Sequence, residues 1–143
     1  MKYLFLALAL FAGAASAQTD LRFNEFYRLP IGPRGLEPSR KLLALEGRSV
    51  RLVGYRVPLA DAPPGLLILS PLPVSLGDED ESFADDLPAS AVYVHLSEAA
   101  AAALPAGGLL SVSGRLQLGA QREADGRFSF VRLVLENSDA PPR

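Results

Sequence analysis

The stretch Leu110–Leu118 constrains the fold more than any other part of the chain. Leu110, Val112, Leu116 and Leu118 alternate with Ser111, Ser113, Arg115 and Gln117. A period of two places one set on each face of a strand, so the segment reads as a half-buried β-strand. Gly114 falls in the inward phase, where a missing side chain permits a tight curve. Such a strand needs neighbours, and the sequence offers four. Ser49–Leu59 carries Val50 and Leu52 in one phase and Val53, Tyr55, Val57 and Leu59 in the other, and the switch around Gly54 predicts a bulge or sharp bend. Leu66–Leu69 is a continuous apolar run between Pro63-Pro64-Gly65 and Pro71, as expected of a strand buried on both faces. Val92–Leu96 sets Val92, Val94 and Leu96 against Tyr93 and His95. Phe128–Leu135 follows the hairpin turn signal Glu123-Ala124-Asp125-Gly126.

Between the third and fourth strands, Ser97–Leu104 reads as a short helix. Ser97 can cap it, Glu98 suits its first turn, and its five alanines favour it. Pro105 and Gly107-Gly108 stop it. Three strands, a helix and two strands is the order of the OB-fold, a small Greek-key barrel. The expected fold is therefore all-β with one short helix, a small five-stranded OB-like barrel with an N-terminal extended segment. Another small five-stranded barrel or sandwich is the alternative. Before the barrel, residues 18–44 form a Pro/Gly-rich lead-in that cannot be one long helix. Its Phe23, Phe26 and Tyr27 are placed to dock it on the main body, and Arg40–Leu45 fits a turn of helix. The barrel is expected over residues 45–137, with a flexible tail at 138–143.

Residues 1–17, MKYLFLALALFAGAASA, have the build of a signal peptide: Lys2, an apolar run from Leu4 to Phe11, and the small-residue site Ala15-Ser16-Ala17. The run is too short for the roughly 20 residues that span a bilayer. Cleavage after Ala17 and a periplasmic or secreted location are expected, with no membrane span thereafter. The chain has no Cys and one His, which excludes disulfides, thiolate nucleophiles, iron–sulfur clusters and His-rich metal centres.

A formal net charge of -2 conceals an uneven distribution. Leu21–Arg56 holds eight cations and three acids, whereas Val57–Ala100 holds eight acids and no Lys or Arg. Either the basic part packs near the acidic one, or the two make a dipolar surface that orients a partner. Six carboxylates fall between Asp78 and Asp86. Hard cations take several oxygen ligands, so Asp78, Asp80, Asp85 and Asp86 are the candidate ligands for calcium or another divalent cation. The EF-hand spacing is absent, and a solvated loop is the competing reading. His95 has no sequence partner for nucleophilic catalysis, and no G-x-S-x-G elbow occurs. Nucleic acid is not an expected ligand, because the second strand lacks aromatics and the following loop is acidic.

The stretch Leu45-Glu46-Gly47-Arg48-Ser49-Val50-Arg51-Leu52-Val53-Gly54-Tyr55-Arg56-Val57-Pro58-Leu59 resembles the opening of a group of exported bacterial proteins of unknown function. Leu66–Leu69, Pro71, Pro73, Pro88 and Val92–Val94 sit where that pattern puts them, so the resemblance covers about residues 40–135. It implies a small periplasmic domain working beside an envelope protein or an ABC transport component. Some members carry Cys and His in the loop after the second strand; here that loop is acidic. The expected function is a non-catalytic binding or accessory module of the cell envelope, not an enzyme and without a cofactor. A soluble periplasmic protein that binds a divalent cation or small ligand through the acidic loop is the alternative.

Overall fold

The computed structural model describes residues 18–59, 63–73 and 87–135. It is mostly β, with one six-stranded sheet and two short helices. The strands are β1 (Thr19–Leu21), β2 (Ser49–Arg56), β3 (Leu66–Ser70), β4 (Val92–His95), β5 (Leu109–Arg122) and β6 (Phe128–Val134). The helices are α1 (Arg40–Leu45) and α2 (Glu98–Ala103), and a 3-10 turn covers Phe23–Glu25. Ser39 and Ser97 cap the two helices, their hydroxyls accepting from the N–H of Leu42 and Ala100 at 3.0 Å each.

The expectation of five strands and one helix is corrected to six strands and two helices. β1 has only three residues and one apolar side chain, too few for any period to register. It forms because β2 offers it an edge: Thr19, Asp20 and Leu21 pair in parallel with Val50, Arg51 and Leu52. On its other edge β2 runs antiparallel to β5, from Ser49 opposite Arg115 to Tyr55 opposite Leu109. β3 joins β2 only at Tyr55 and Arg56, then pairs with β4 along Leu66–Leu69. β4 runs parallel to β6, and β6 antiparallel to β5. The pairings therefore lead from β2 through β3, β4, β6 and β5 back to β2, but not as a clean barrel. The β2–β3 join is two residue pairs wide, and β1 takes the part of the β2 edge that β3 leaves.

Gly54 sits at that parting, and its role differs from the expected bulge. The β2–β5 register is unbroken from Ser49 to Tyr55. Val53 is exposed, Gly54 lies buried in phase with Val50 and Leu52, and the apolar phase changes only by Val57. What requires glycine is close approach: a Cβ there would lie 2.7 Å from Phe23 Cε2 and 3.1 Å from the Ser70 carbonyl oxygen.

The main core joins Leu52, Leu67, Leu69, Val92, Val94, Leu116 and Leu133 with Leu21, Phe26, Leu42 and Leu45 from the N-terminal part. Phe26 is fully buried; its ring centroid lies 5.2 Å from Phe23 and 6.3 Å from Tyr27, which meets it edge-on. A second, smaller cluster of Val57, Leu66, Ile68 and Tyr93 lies beneath Leu59, Leu87 and Ala91. This second layer buries β3 on both faces, as its unbroken apolar run requires. No helix among the described residues is long and apolar enough to cross a membrane.

Truncation of Phe26 to Ala is expected to cost about 3–5 kcal/mol in denaturant unfolding, because it empties a site that closes the core. Val53→Ala on the outer face of β2 should change stability by no more than about 0.5 kcal/mol. A loss at Phe26 of under about 1 kcal/mol would mean that the N-terminal part does not complete the core.

Candidate functional site

The four acidic residues singled out in the sequence, Asp78, Asp80, Asp85 and Asp86, lie outside the described residues. Among the described residues no group of three or more His, Asp or Glu side chains is arranged to hold a metal ion. The polar chemistry gathers instead at the β5–β6 hairpin and the end of β4.

β6 alternates, with Ser129 and Val131 buried and Phe128 and Phe130 outward, 62% and 59% exposed. Its pairing with β4 begins only at Arg132 opposite Tyr93. Before that point β6 is paired with β5 alone, so the two neighbours β4 and β6 diverge toward the hairpin. A groove of about 430 Å³ occupies the divergence, walled by Leu87–Ala89 and Ala91 on one side and Gly126–Phe130 on the other, with Tyr93 at its base. A second hollow of about 360 Å³, lined by Tyr27, Leu42, Leu43 and Leu118, lies beyond Phe130, which walls both. The Tyr27 hydroxyl donates to the Ala89 carbonyl at 3.0 Å, tying the N-terminal part to the groove wall.

The groove's polar groups are partnered among themselves. Tyr93 Oη and Arg127 Nη1 each lie 3.3 Å from Asp125 Oδ2, and the Arg127 N–H donates to Asp125 Oδ1 at 2.9 Å. Burial pushes the Tyr93 hydroxyl up to about 12, and the neighbouring Asp125 charge adds to the shift. Behind the groove Glu123 is almost wholly buried. Its carboxylate accepts the Ser129 hydroxyl on one oxygen and faces His95 Nε2 at 2.9 Å on the other. That last distance suits an ion pair, but the ring N–H is not aligned for a hydrogen bond. Arg132, also buried, donates from Nη1 to the Gly119 carbonyl at 2.7 Å, the Ser129 carbonyl at 3.2 Å and Ser129 Oγ at 2.9 Å. Its Nε is buried with no hydrogen-bond partner.

This cluster can hold the hairpin against β4. The Ser129 hydroxyl is buried and donates to Glu123. Strand alternation places Tyr93 and His95 on one face of β4, and the structure shows what lies over Tyr93. The Val57–Ile68 layer and Leu87 cover it, so Tyr93 is buried and His95 only partly exposed. Glu123, read as a turn residue, gave no sign of burial in the sequence. Phe128–Leu135 reads only as the last strand, and nothing in a single strand says which of its faces turns to solvent.

No protein-family model matches the chain, and no curated protein matches it. The chain is similar to a solved crystal structure of a DUF3299 family protein from Pseudomonas aeruginosa PAO1. The two are 14% identical, the match covers 82% of this chain and 92% of that one, and the TM-score is 0.49.

Because the Tyr93 hydroxyl stays protonated in the fold to about pH 12, the unfolded chain releases that proton first, near the ordinary tyrosine value of about 10. Stability is then full below about pH 10 and falls as pH rises toward 12. Equilibrium unfolding across that window should show the decline, and Tyr93→Phe should remove Tyr93's part of it. An unchanged slope in the variant would contradict the assignment.

Proposed function

We propose that the chain is an exported, periplasmic, non-catalytic binding module of the cell envelope. Its body is an OB-like barrel, and it docks a protein partner at the groove between β4 and β6. The circuit of pairings, the parallel β4–β6 join and α2 between β4 and β5 support the barrel reading. The signal-like residues 1–17 support export. The observation that carries the docking reading is the pair Phe128 and Phe130, both largely exposed beside a groove whose polar groups already satisfy one another. Aromatic side chains at the centre of a patch are what protein interfaces draw most energy from. An envelope transport component is the partner class that the resemblance at residues 45–59 implies.

Photo-crosslinking tests this reading in envelope preparations. A crosslinker at position 130 should trap one protein species, and a crosslinker at the exposed position 53 on β2 should not. Phe128→Ser should reduce trapping from position 130 by at least about tenfold, the effect of removing one well-packed aromatic anchor. The mature chain should begin at Gln18, and calcium at millimolar level should leave its melting temperature unchanged. Equal trapping from both positions would overturn the docking site. A calcium-induced rise in melting temperature would favour the cation-binding alternative.

A further inference from the structure

A second surface, remote in sequence from the groove, has a different chemistry. Between Phe26 and Ser39 the chain leaves the core and returns. The Ser39 N–H donates to the Phe26 carbonyl at 2.8 Å and the Arg28 N–H to the Glu37 carbonyl at 2.9 Å, closing the base. A turn from Gly32 to Gly35, with a 3.0 Å hydrogen bond and Gly35 at φ +81°, forms the tip. Glycine is needed there, since that φ is strained for any residue with a Cβ. All nine residues from Arg28 to Leu36 are exposed. They include Leu29, Ile31 and Leu36, at 72%, 60% and 43% exposure. A narrow projection with three large aliphatic side chains in water is an unpartnered apolar surface.

Its surroundings are cationic. Arg28, Arg34, Arg40 and Lys41 face one acid, Glu37, between positions 28 and 41. Arg28 pairs with Glu37 and Lys41 with Glu25, while Arg34 and Arg40 have no ion pair among the described residues. We propose that this hairpin docks the protein on an anionic lipid surface. Leu29, Ile31 and Leu36 enter the headgroup region, and Arg34 and Arg40 meet lipid phosphates. Exposed aliphatic side chains with unpaired Arg nearby in the chain suit the boundary between headgroups and acyl chains, where the apolar part is buried and the guanidinium stays at the phosphates. A protein partner fits less well. A protein partner would have to reach well beyond these nine residues to gather the roughly 20–30 a side of a stable interface. A lipid surface needs no more than the tip.

Vesicle co-sedimentation of the chain from Gln18 to Arg143 tests the proposal. That span holds every core side chain, and it omits the apolar residues 1–17, which would bind lipid on their own. Vesicles of phosphatidylglycerol with phosphatidylethanolamine should retain the protein, and pure phosphatidylcholine vesicles should not. Raising salt to about 0.5 M should weaken binding, because exposed charges are then screened. Leu29→Ser with Ile31→Ser should weaken binding about tenfold or more, and Arg34→Glu should do likewise. Both variants alter exposed residues and should keep the parent melting temperature. Phe128→Ser should bind vesicles as the parent does, which separates this surface from the groove. Absence of binding to anionic vesicles would overturn the proposal, as would undiminished binding by the Leu29/Ile31 variant. A crosslinker at position 31 that traps a protein in envelope preparations, without any vesicle binding, would assign the hairpin to a protein partner instead.

Discussion

The contact between Gly54 and the Phe23 ring is the constraint on which the rest of the structure depends. β2 has to satisfy two neighbours on one edge, because β3 pairs with it only at Tyr55 and Arg56. Below that point the edge would present unpaired backbone groups beside an open core. β1 takes the free backbone groups by pairing with Val50–Leu52, and Phe23 and Phe26 fill the space behind it. A side chain at position 54 would collide with both Phe23 and the β3 backbone at Ser70. The N-terminal part is thus neither linker nor ornament. It closes the sheet where the sheet cannot close itself, and so the hairpin at residues 28–37 stands on a rigid base.

The opposite parting, between β4 and β6, is treated differently. There the hydrophobic layer stops, and a polar cluster holds the two sides. Glu123, Ser129, Arg132 and His95 are drawn together behind the groove, and Asp125 links Tyr93 at its base to Arg127 in its wall. The buried Glu123 carboxylate is held by the Ser129 hydroxyl on one oxygen and faces His95 Nε2 at 2.9 Å on the other, as a buried charge requires. Tyr93, Asp125 and Arg127 bond to one another, whereas Arg132 Nε and His95 Nε2 stay without a hydrogen bond, and Phe128 and Phe130 turn outward. One parting is sealed by aromatic packing, and the other is left open with Phe128 and Phe130 exposed beside it.

Much of this frame was legible in the sequence for identifiable reasons. The β5 alternation from Leu110 to Leu118, the apolar run of β3 and the Ser97 cap each depend on local pattern, and the elements appear where that pattern put them. β1 was not legible, since Thr19–Leu21 forms only because β2 has a spare edge. The fate of Glu123 was hidden for the same kind of reason. A Glu-Ala-Asp-Gly turn reads as solvated until the partner strand brings His95 beside it. Gly54 was marked as special, but a bend and a close approach leave the same trace in one sequence. Of the candidate site, Tyr93 and His95 were correctly placed on one face of β4. The groove that Tyr93 borders depends on how far β6 stays from β4, which is a property of register and not of composition.

The central claim is that the N-terminal part belongs to the cooperative core. Amide hydrogen exchange under native conditions tests it most directly. If β1 and the Phe23–Phe26 turn close the sheet, the amides of Leu21, Phe26 and Leu42 should exchange only through global unfolding, with the same opening free energy as those of Val50–Leu52 in β2. Exchange of those three amides at rates set by local opening, while the β2–β5 ladder stays fully protected, would contradict it.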